Sequence, residues 1–202
     1  MEEKRNFDLL TLGQVLLRLS PPNNDRLVRG DTFVKQVGGA ELNVAVGVAL
    51  LGLRTGVISK LPSHDMGSFM KGKIRSYGVS DDFFMYDDSP SARVGIYYYE
   101  NGAYPRKPKV IYDRANSSFY SLKIDEIPEK AYTASRCFHT SGITLALSPK
   151  VRETAIEMIK RFKAAGTLVS FDVNFRGNLW TGEEAKECIE QILPYVDIFF
   201  CS

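Results

Sequence analysis

The chain has 202 residues, 44% of them hydrophobic and 25% charged, which supplies one substantial core and excludes a disordered segment. Lysine and arginine number 26 against 24 aspartates and glutamates, a formal net charge of +2 scattered along the chain, so no basic field is built to attract nucleic acid. Three widely spaced cysteines, two histidines, a start (1–6) charged with both signs and no apolar run near ~20 residues argue against a disulfide framework, a zinc cluster, an export signal and a membrane span, and predict a cytoplasmic protein.

Short apolar runs at 7–13, 55–61, 137–141, 168–173 and 197–201 alternate with helical patterns, which predicts parallel strands joined by crossover helices and an α/β fold. The first run leads into 15–37, where extended residues are broken by Pro, Asn and Gly and leave the crossover rhythm. Next, Leu42, Ala45, Val46, Ala49 and Leu50 follow one helical face that packs on the sheet and that Gly52 closes. A second irregular stretch, 93–114, puts Val94, Ile96 and Tyr98 on one face of a strand and Gly95, Tyr97 and Tyr99 on the other, before an Asn101-Gly102 turn signal. Together the two stretches predict a small separate β-layer, with an antiparallel flap over a crevice. Ser148 and Pro149 cap a helix whose buried stripe is Val151, Ala155, Met158, Ile159 and Phe162 and which ends at Gly166. Thr181 and Glu184 form a capping-box pattern for another. No helix follows the last run to cover its face, so the chain is expected to be cut within a domain. It contains no internal repeat and no low-complexity segment.

Three segments have residues that suit ligand chemistry. Gly38-Gly39-Ala40-Glu41-Leu42-Asn43 joins two glycines, which let backbone approach a ligand, to a helix start with unpaired N–H groups. A hydroxyl or an anion fits there, as does a plain tight turn, but the spacing is neither a dinucleotide fingerprint nor a P-loop. Asp172-Val173-Asn174-Phe175-Arg176 begins where a strand runs out, and ligands of open α/β sheets bind at the carboxyl ends of strands. Arg176 offers there a planar fork of donors that matches a carboxylate, with an ordinary surface arginine as the plainer alternative. His139-Thr140-Ser141-Gly142-Ile143-Thr144 also ends a strand, and His139 is expected to be a hydrogen-bonded core residue without a catalytic role. In the flap, Tyr97, Tyr112 and Arg114 offer phenol hydroxyls, an apolar wall and a second cation, or simply good strand formers. Asp65, Asp81, Asp82, Asp87, Asp88 and Asp172 show no spacing that identifies an acid–base pair and read mostly as solvated loop residues. No side chain reads as an activated nucleophile.

Five segments in order, LGQVLLRLSPP (12–22), GGAELNVAVGVALLG (38–52), YDRANS (112–117), HTSGITLALSP (139–149) and DVNFRGNLW (172–180), resemble the landmarks of the ribokinase-like, or pfkB-type, sugar kinases. Nearly the whole chain takes part, and the resemblance is strongest to the 2-keto-3-deoxygluconate kinases of that family. It implies a three-layer α/β/α domain with a small β-sheet lid. Residues 1–202 would form the N-terminal part of that one domain, with lid segments at about 15–37 and 93–114 and the C-terminal part absent. The implied reaction moves the γ-phosphoryl of ATP, with Mg2+, to the 6-hydroxyl of an acidic keto-sugar. The implied assembly is a homodimer through the lid. The substrate-binding positions that carry over are Gly39, Asn43, Tyr97, Tyr112, Arg114, Ile143 and Arg176, the two arginines holding the sugar's carboxylate.

The chain also departs from the family pattern. Gln14 stands where many members have Glu, and Arg18 stands where relatives acting on neutral sugars often carry Asp, which argues against ribose. Pro62-Ser63-His64 replaces a common Gly-Asp-Asp pattern. The family's acidic motif for magnesium and phosphate, and its Gly-Ala-Gly-Asp-like turn with the catalytic base, fall at or beyond residue 202. No catalytic and no metal-ligating residue is therefore expected in this chain, and by itself no kinase activity. Two other readings stay open: a fructokinase or another neutral-sugar kinase, and a noncatalytic sugar-binding or dimerisation module.

Overall fold

The computed structural model describes residues 5–201, so Met1 to Lys4, most of the charged start, and Ser202 lie outside the described residues. In chain order the elements are β1 (Phe7–Leu12), β2 (Leu16–Ser20), β3 (Val34–Gly38), α1 (Ala40–Leu50), β4 (Thr55–Pro62), α2 (Asp65–Ser76), β5 (Val79–Asp87), β6 (Gly95–Glu100) and β7 (Lys109–Asp113). There follow α3 (Lys130–Thr133), β8 (Ser135–Ser141), α4 (Gly142–Ala146), α5 (Pro149–Ala164), β9 (Leu168–Asp172), α6 (Gly182–Ile192) and β10 (Ile198–Phe200). Six strands form one parallel sheet in the order β10-β9-β8-β1-β4-β5. The other four form a smaller sheet, β3-β2-β6-β7.

Strands covered on both faces need apolar residues throughout, and β4 is buried at every position. On one face of the parallel sheet α5 lays its predicted stripe: Val151, Ala155, Met158, Ile159 and Phe162 are all buried, and the Phe162 ring stacks on Phe138 at 4.0 Å. On the other face α1 and α2 pack over β1, β4 and β5 with Leu42, Ala45, Met70 and Ile74. Leu50 does not belong to that packing, being 80% exposed on the outer side of α1. Over β9 and β10 that second face carries no helix among the described residues, so Leu168, Ile198 and Phe200 are exposed on it.

The helix starts follow their chemistry. Ser148 Oγ accepts from Val151 N at 3.3 Å, and Thr181 and Glu184 form the reciprocal box, with Thr181 N donating to Glu184 Oε2 at 2.7 Å. His64 caps α2, its Nδ1 accepting from Met66 N at 3.2 Å. Among the described residues no helix is long and apolar enough to cross a membrane.

Between residues 62 and 106 the structure departs from what the sequence predicts. α2 and β5 are regular elements between 62 and 93 that it did not predict, and its loop aspartates belong to them: Asp65 opens α2, while Asp81, Asp82 and Asp87 lie in β5. Asp81 is no free loop acid, because Lys71 and Arg75 of α2 meet it at 3.3 and 3.5 Å. In the small sheet the expected antiparallel flap is β6 and β7, while the central pair β2/β6 is parallel, which makes the sheet as a whole mixed. The reversal after β6 lies not at Asn101-Gly102 but at Ala103 to Arg106, whose backbones exchange hydrogen bonds of 3.0 and 2.7 Å. Arg106 fastens that loop by pairing with buried Glu100 at 3.4 Å and donating to Asn101 O at 3.2 Å.

Candidate functional site

The ends of β8 and β9, the start of α1 and the inner face of the small sheet enclose a cavity of about 470 Å3. All seven residues singled out from the sequence, Gly39, Asn43, Tyr97, Tyr112, Arg114, Ile143 and Arg176, line it. A second hollow of about 300 Å3 opens beside it and shares Tyr112, Arg114, Ile143 and Arg176. Arg114 and Arg176 therefore stand on the same cavity rather than on opposite sides of the molecule.

The floor is built from strand ends and helix starts. Gly39 enters α1 at φ 145°, a conformation open to glycine, and a Cβ there would sit 2.7 Å from Gln14 O. One turn into the helix, Asn43 faces the cavity. Glu41, two residues earlier, is 1% exposed and accepts from Ser141 Oγ at 2.6 Å and Thr144 Oγ1 at 2.8 Å. Burial pushes its carboxyl above the usual range, against those two hydrogen bonds. Ser141 also accepts from Ile143 N at 3.2 Å, which sets the start of α4 and brings Ile143 to the cavity. After β9, Asp172 Oδ1 accepts from Asn174 N at 2.9 Å while Asn174 turns through φ 37°, and this turn delivers Arg176.

The roof comes from register in the small sheet. Arg18, Tyr97 and Tyr112 are direct cross-strand neighbours on β2, β6 and β7, so their side chains share one face. The rings of Tyr97 and Tyr112 lie 6.0 Å apart, and the Arg18 guanidinium rests 4.3 Å over the Tyr99 ring. Burial raises the Tyr97 phenol, so its hydroxyl stays protonated as a donor. Arg114, just past β7, donates from Nε to Gln14 Oε1 at 2.7 Å, and its guanidinium lies 5.5 Å from the Tyr112 ring centre. Burial pulls Arg114 below its ordinary value, yet a guanidinium stays charged in a protein.

Several wall residues were not marked as site residues in the sequence: Arg18, Tyr99, His139, Ser141, Asp172 and Asn174. The signal for Asp172 and Asn174 was present, since both lie in the strand-end motif of Arg176. Arg18 needs the β2/β6 register, which sequence does not give. His139 is the buried, hydrogen-bonded histidine expected, with Nδ1 3.0 Å from Ser170 Oγ and its pKa lowered by burial, but it also borders the cavity. Three guanidiniums thus face one space in which Asp172 is the single carboxylate of the wall, and none of the three has a carboxylate at ion-pair distance among the described residues. Such a set suits an anionic ligand with hydroxyl groups.

Comparison with known proteins agrees with this architecture. The chain matches the pfkB family carbohydrate kinase profile over residues 6–202. It is 38% identical over 191 residues to a 2-dehydro-3-deoxygalactonokinase of Haloferax volcanii, which covers 95% of this chain and 59% of that protein. It is 30% identical over 184 residues to a 5-dehydro-2-deoxygluconokinase of Shouchella clausii, covering 91% and 56% respectively. The crystal structure of a 2-dehydro-3-deoxygluconokinase from Thermotoga maritima superposes with a TM-score of 0.89 at 38% identity, covering 95% of this chain and 58% of that one. The chain thus spans less than three fifths of the length of these relatives. With the profile matched over nearly all its residues, the chain belongs to the pfkB family of carbohydrate kinases.

Proposed function

We propose that the cavity binds an acidic keto-sugar of the 2-keto-3-deoxygluconate class. Arg114 and Arg176 hold its carboxylate, while Gly39, Asn43, Tyr97, Tyr112 and Ile143 surround its carbon chain and hydroxyls. In the intact protein the sugar's 6-hydroxyl takes the γ-phosphoryl of ATP, with Mg2+ neutralising the phosphates. Among the described residues no group of three His, Cys, Asp or Glu side chains is placed to hold a metal ion. The part assigned to this chain is to bind and orient the sugar and to exclude water over it, and no step at the nucleotide is assigned to its residues. Phosphoryl transfer depends on positioning both partners, so this chain alone turns over no ATP.

The observation that carries the reading is the convergence of three carboxylate-free guanidiniums on one cavity. Two of them, Arg114 and Arg176, also line the hollow beside it, and a guanidinium offers the planar fork of donors that a carboxylate accepts. The names of the three relatives given above, two dehydro-deoxygluconokinases and a dehydro-deoxygalactonokinase, point the same way. Calorimetric titration of the chain tests it. 2-Keto-3-deoxygluconate is expected to bind at least about tenfold more tightly than fructose, and Arg176→Ala to erase most of that difference. Equal binding of the two sugars by the wild type overturns the acid assignment, and ADP release above background overturns the inactivity of the chain.

The same reading puts the protein in the cytoplasm as a homodimer joined through the small sheet, whose edge strand β7 is exposed at every position. Sedimentation is the check: a monomer at micromolar concentration removes the dimer.

A further inference from the structure

Gln14 stands between β1 and β2, where the chain passes from the parallel sheet to the small one, and it is 3% exposed. Its Oε1 accepts from Arg114 Nε at 2.7 Å. Its Nε2 donates to the carbonyl oxygen of the same Arg114 at 3.1 Å and to Ser117 Oγ at 2.6 Å. One amide therefore holds both the main chain and the guanidinium of a residue 100 positions away. The space around it is filled: a Cβ on Gly95 would lie 2.8 Å from Gln14 Nε2 and 2.6 Å from Leu16 Cδ2. The carbonyl of Gln14 in turn backs Gly39, so this residue touches floor and roof at once.

Arginine has four side-chain torsions, and a free one samples many positions at an entropic cost on binding. Anchoring Nε fixes the plane of the guanidinium, and the two Nη groups have no hydrogen-bond partner among the described residues. The anchor is also neutral, so it does not cancel the charge it aims. Glu41, the buried acid that senses Arg114, makes no ion pair with it and accepts from Ser141 and Thr144 at Oε1.

We infer that Gln14 is a positioning residue, which sets the Arg114 guanidinium toward the cavity before any ligand arrives and thereby gives the site its preference for an acid group. The preference for acids rests on the function proposed above, whereas the fixing of Arg114 does not. The experiment keeps the two apart by reading them separately in the 202-residue chain. The first reading is the Arg114 Nε–H signal in a 1H–15N spectrum, assigned by its loss in Arg114→Lys. It is expected to be slow to exchange in the wild type and in Gln14→Glu, which keeps an acceptor, and to exchange rapidly in Gln14→Met. The second reading is calorimetric affinity for 2-keto-3-deoxygluconate and for fructose. Gln14→Met is expected to weaken the acid by about tenfold and fructose by less than about twofold.

A rapidly exchanging Arg114 Nε–H in the wild type overturns the inference without any variant, which covers the case of a Gln14→Met that does not fold. So does a Gln14→Met that weakens both sugars alike, the mark of a merely structural role. A wild type that binds neither sugar overturns the acid-sugar reading, while the exchange of Arg114 Nε–H still decides the role of Gln14 as its anchor.

Discussion

The floor and the roof of the cavity are held in place by different physics. On the floor, strand ends carry Gly142, Ser141 and Asp172 out of a close-packed sheet, and buried hydroxyls tie the segments together: Ser59 Oγ donates to Gly13 O at 2.8 Å and Thr140 Oγ1 to Leu12 O at 3.0 Å. On the roof, β7 is exposed along its whole length, and a few polar links do the fastening, among them Gln14 to Arg114 and Glu100 to Leu27 N at 2.9 Å. A position set by packing cannot shift without loss of the fold, whereas one set by a few hydrogen bonds shifts at small cost. Floor substitutions should therefore register as unfolding and roof substitutions as altered ligand binding.

The largest effect is expected behind the floor. Phe162 has no exposed surface, stacks on Phe138 and meets Tyr132 edge-on at 5.1 Å, so Phe162→Ala should cost about 4 kcal/mol in urea denaturation. Next comes Gly142→Ala. A Cβ at that position would collide with the main-chain oxygen of Val173, which cannot swing aside as a side chain does, and a loss of about 3 kcal/mol is expected. A Gly142→Ala chain as stable as the wild type would break the claim that packing sets the floor.

Glu41 provides a smaller and pH-dependent effect. Its carboxyl is raised by burial in the folded chain, so the fold holds the proton more tightly than the unfolded chain, where glutamate titrates near about 4.3. The associated stability is complete below that unfolded value and is lost as pH rises through the folded one, at about 1.4 kcal/mol per unit of displacement. Glu41→Gln keeps an oxygen to accept from Ser141 and Thr144 but does not titrate. Denaturation midpoints measured from about pH 4 to about pH 8 should move in favour of the variant as pH rises. A constant difference would mean that the Glu41 pKa is not displaced by folding.

The same contrast explains what the sequence disclosed. Floor residues lie in segments that are contiguous in the chain, such as 139–144 and 172–176, and each sits at the end of an apolar run, so strand periodicity located both segments and Arg176, while Ile143 came from the family resemblance. The α5 stripe was legible because its buried face repeats with the helical period. β5 was hidden because Asp81 and Asp82 interrupt its apolar pattern, and only the cations of α2, met in three dimensions, explain why a strand tolerates Asp81. Leu50 follows the α1 spacing but overshoots the end of the covered surface. On the roof, the row of Arg18, Tyr97 and Tyr112 depends on pairing between strands some 80 residues apart, and on a parallel β2/β6 contact that no local turn specifies. The tyrosines were legible as flap residues able to meet a ligand, but their alignment with Arg18 was not, and Arg18 entered only as a departure from the family pattern.

The smallest expected change in stability tests the roof most directly. Tyr112 is 48% exposed on an edge strand, with its ring 6.0 Å from that of Tyr97 and 5.5 Å from the Arg114 guanidinium. Truncation leaves no buried cavity, so Tyr112→Ala should change the unfolding free energy by no more than about 0.5 kcal/mol. Its effect on ligand should be larger, because the ring forms one wall of both the main cavity and the hollow beside it, and supports the plane of Arg114. Calorimetry should find affinity for the acidic sugar lowered by about fivefold or more with an unchanged melting curve. If the melting temperature falls together with the affinity, roof and floor fold as one unit and the distinction between them fails; if neither moves, the sugar does not lie under β7.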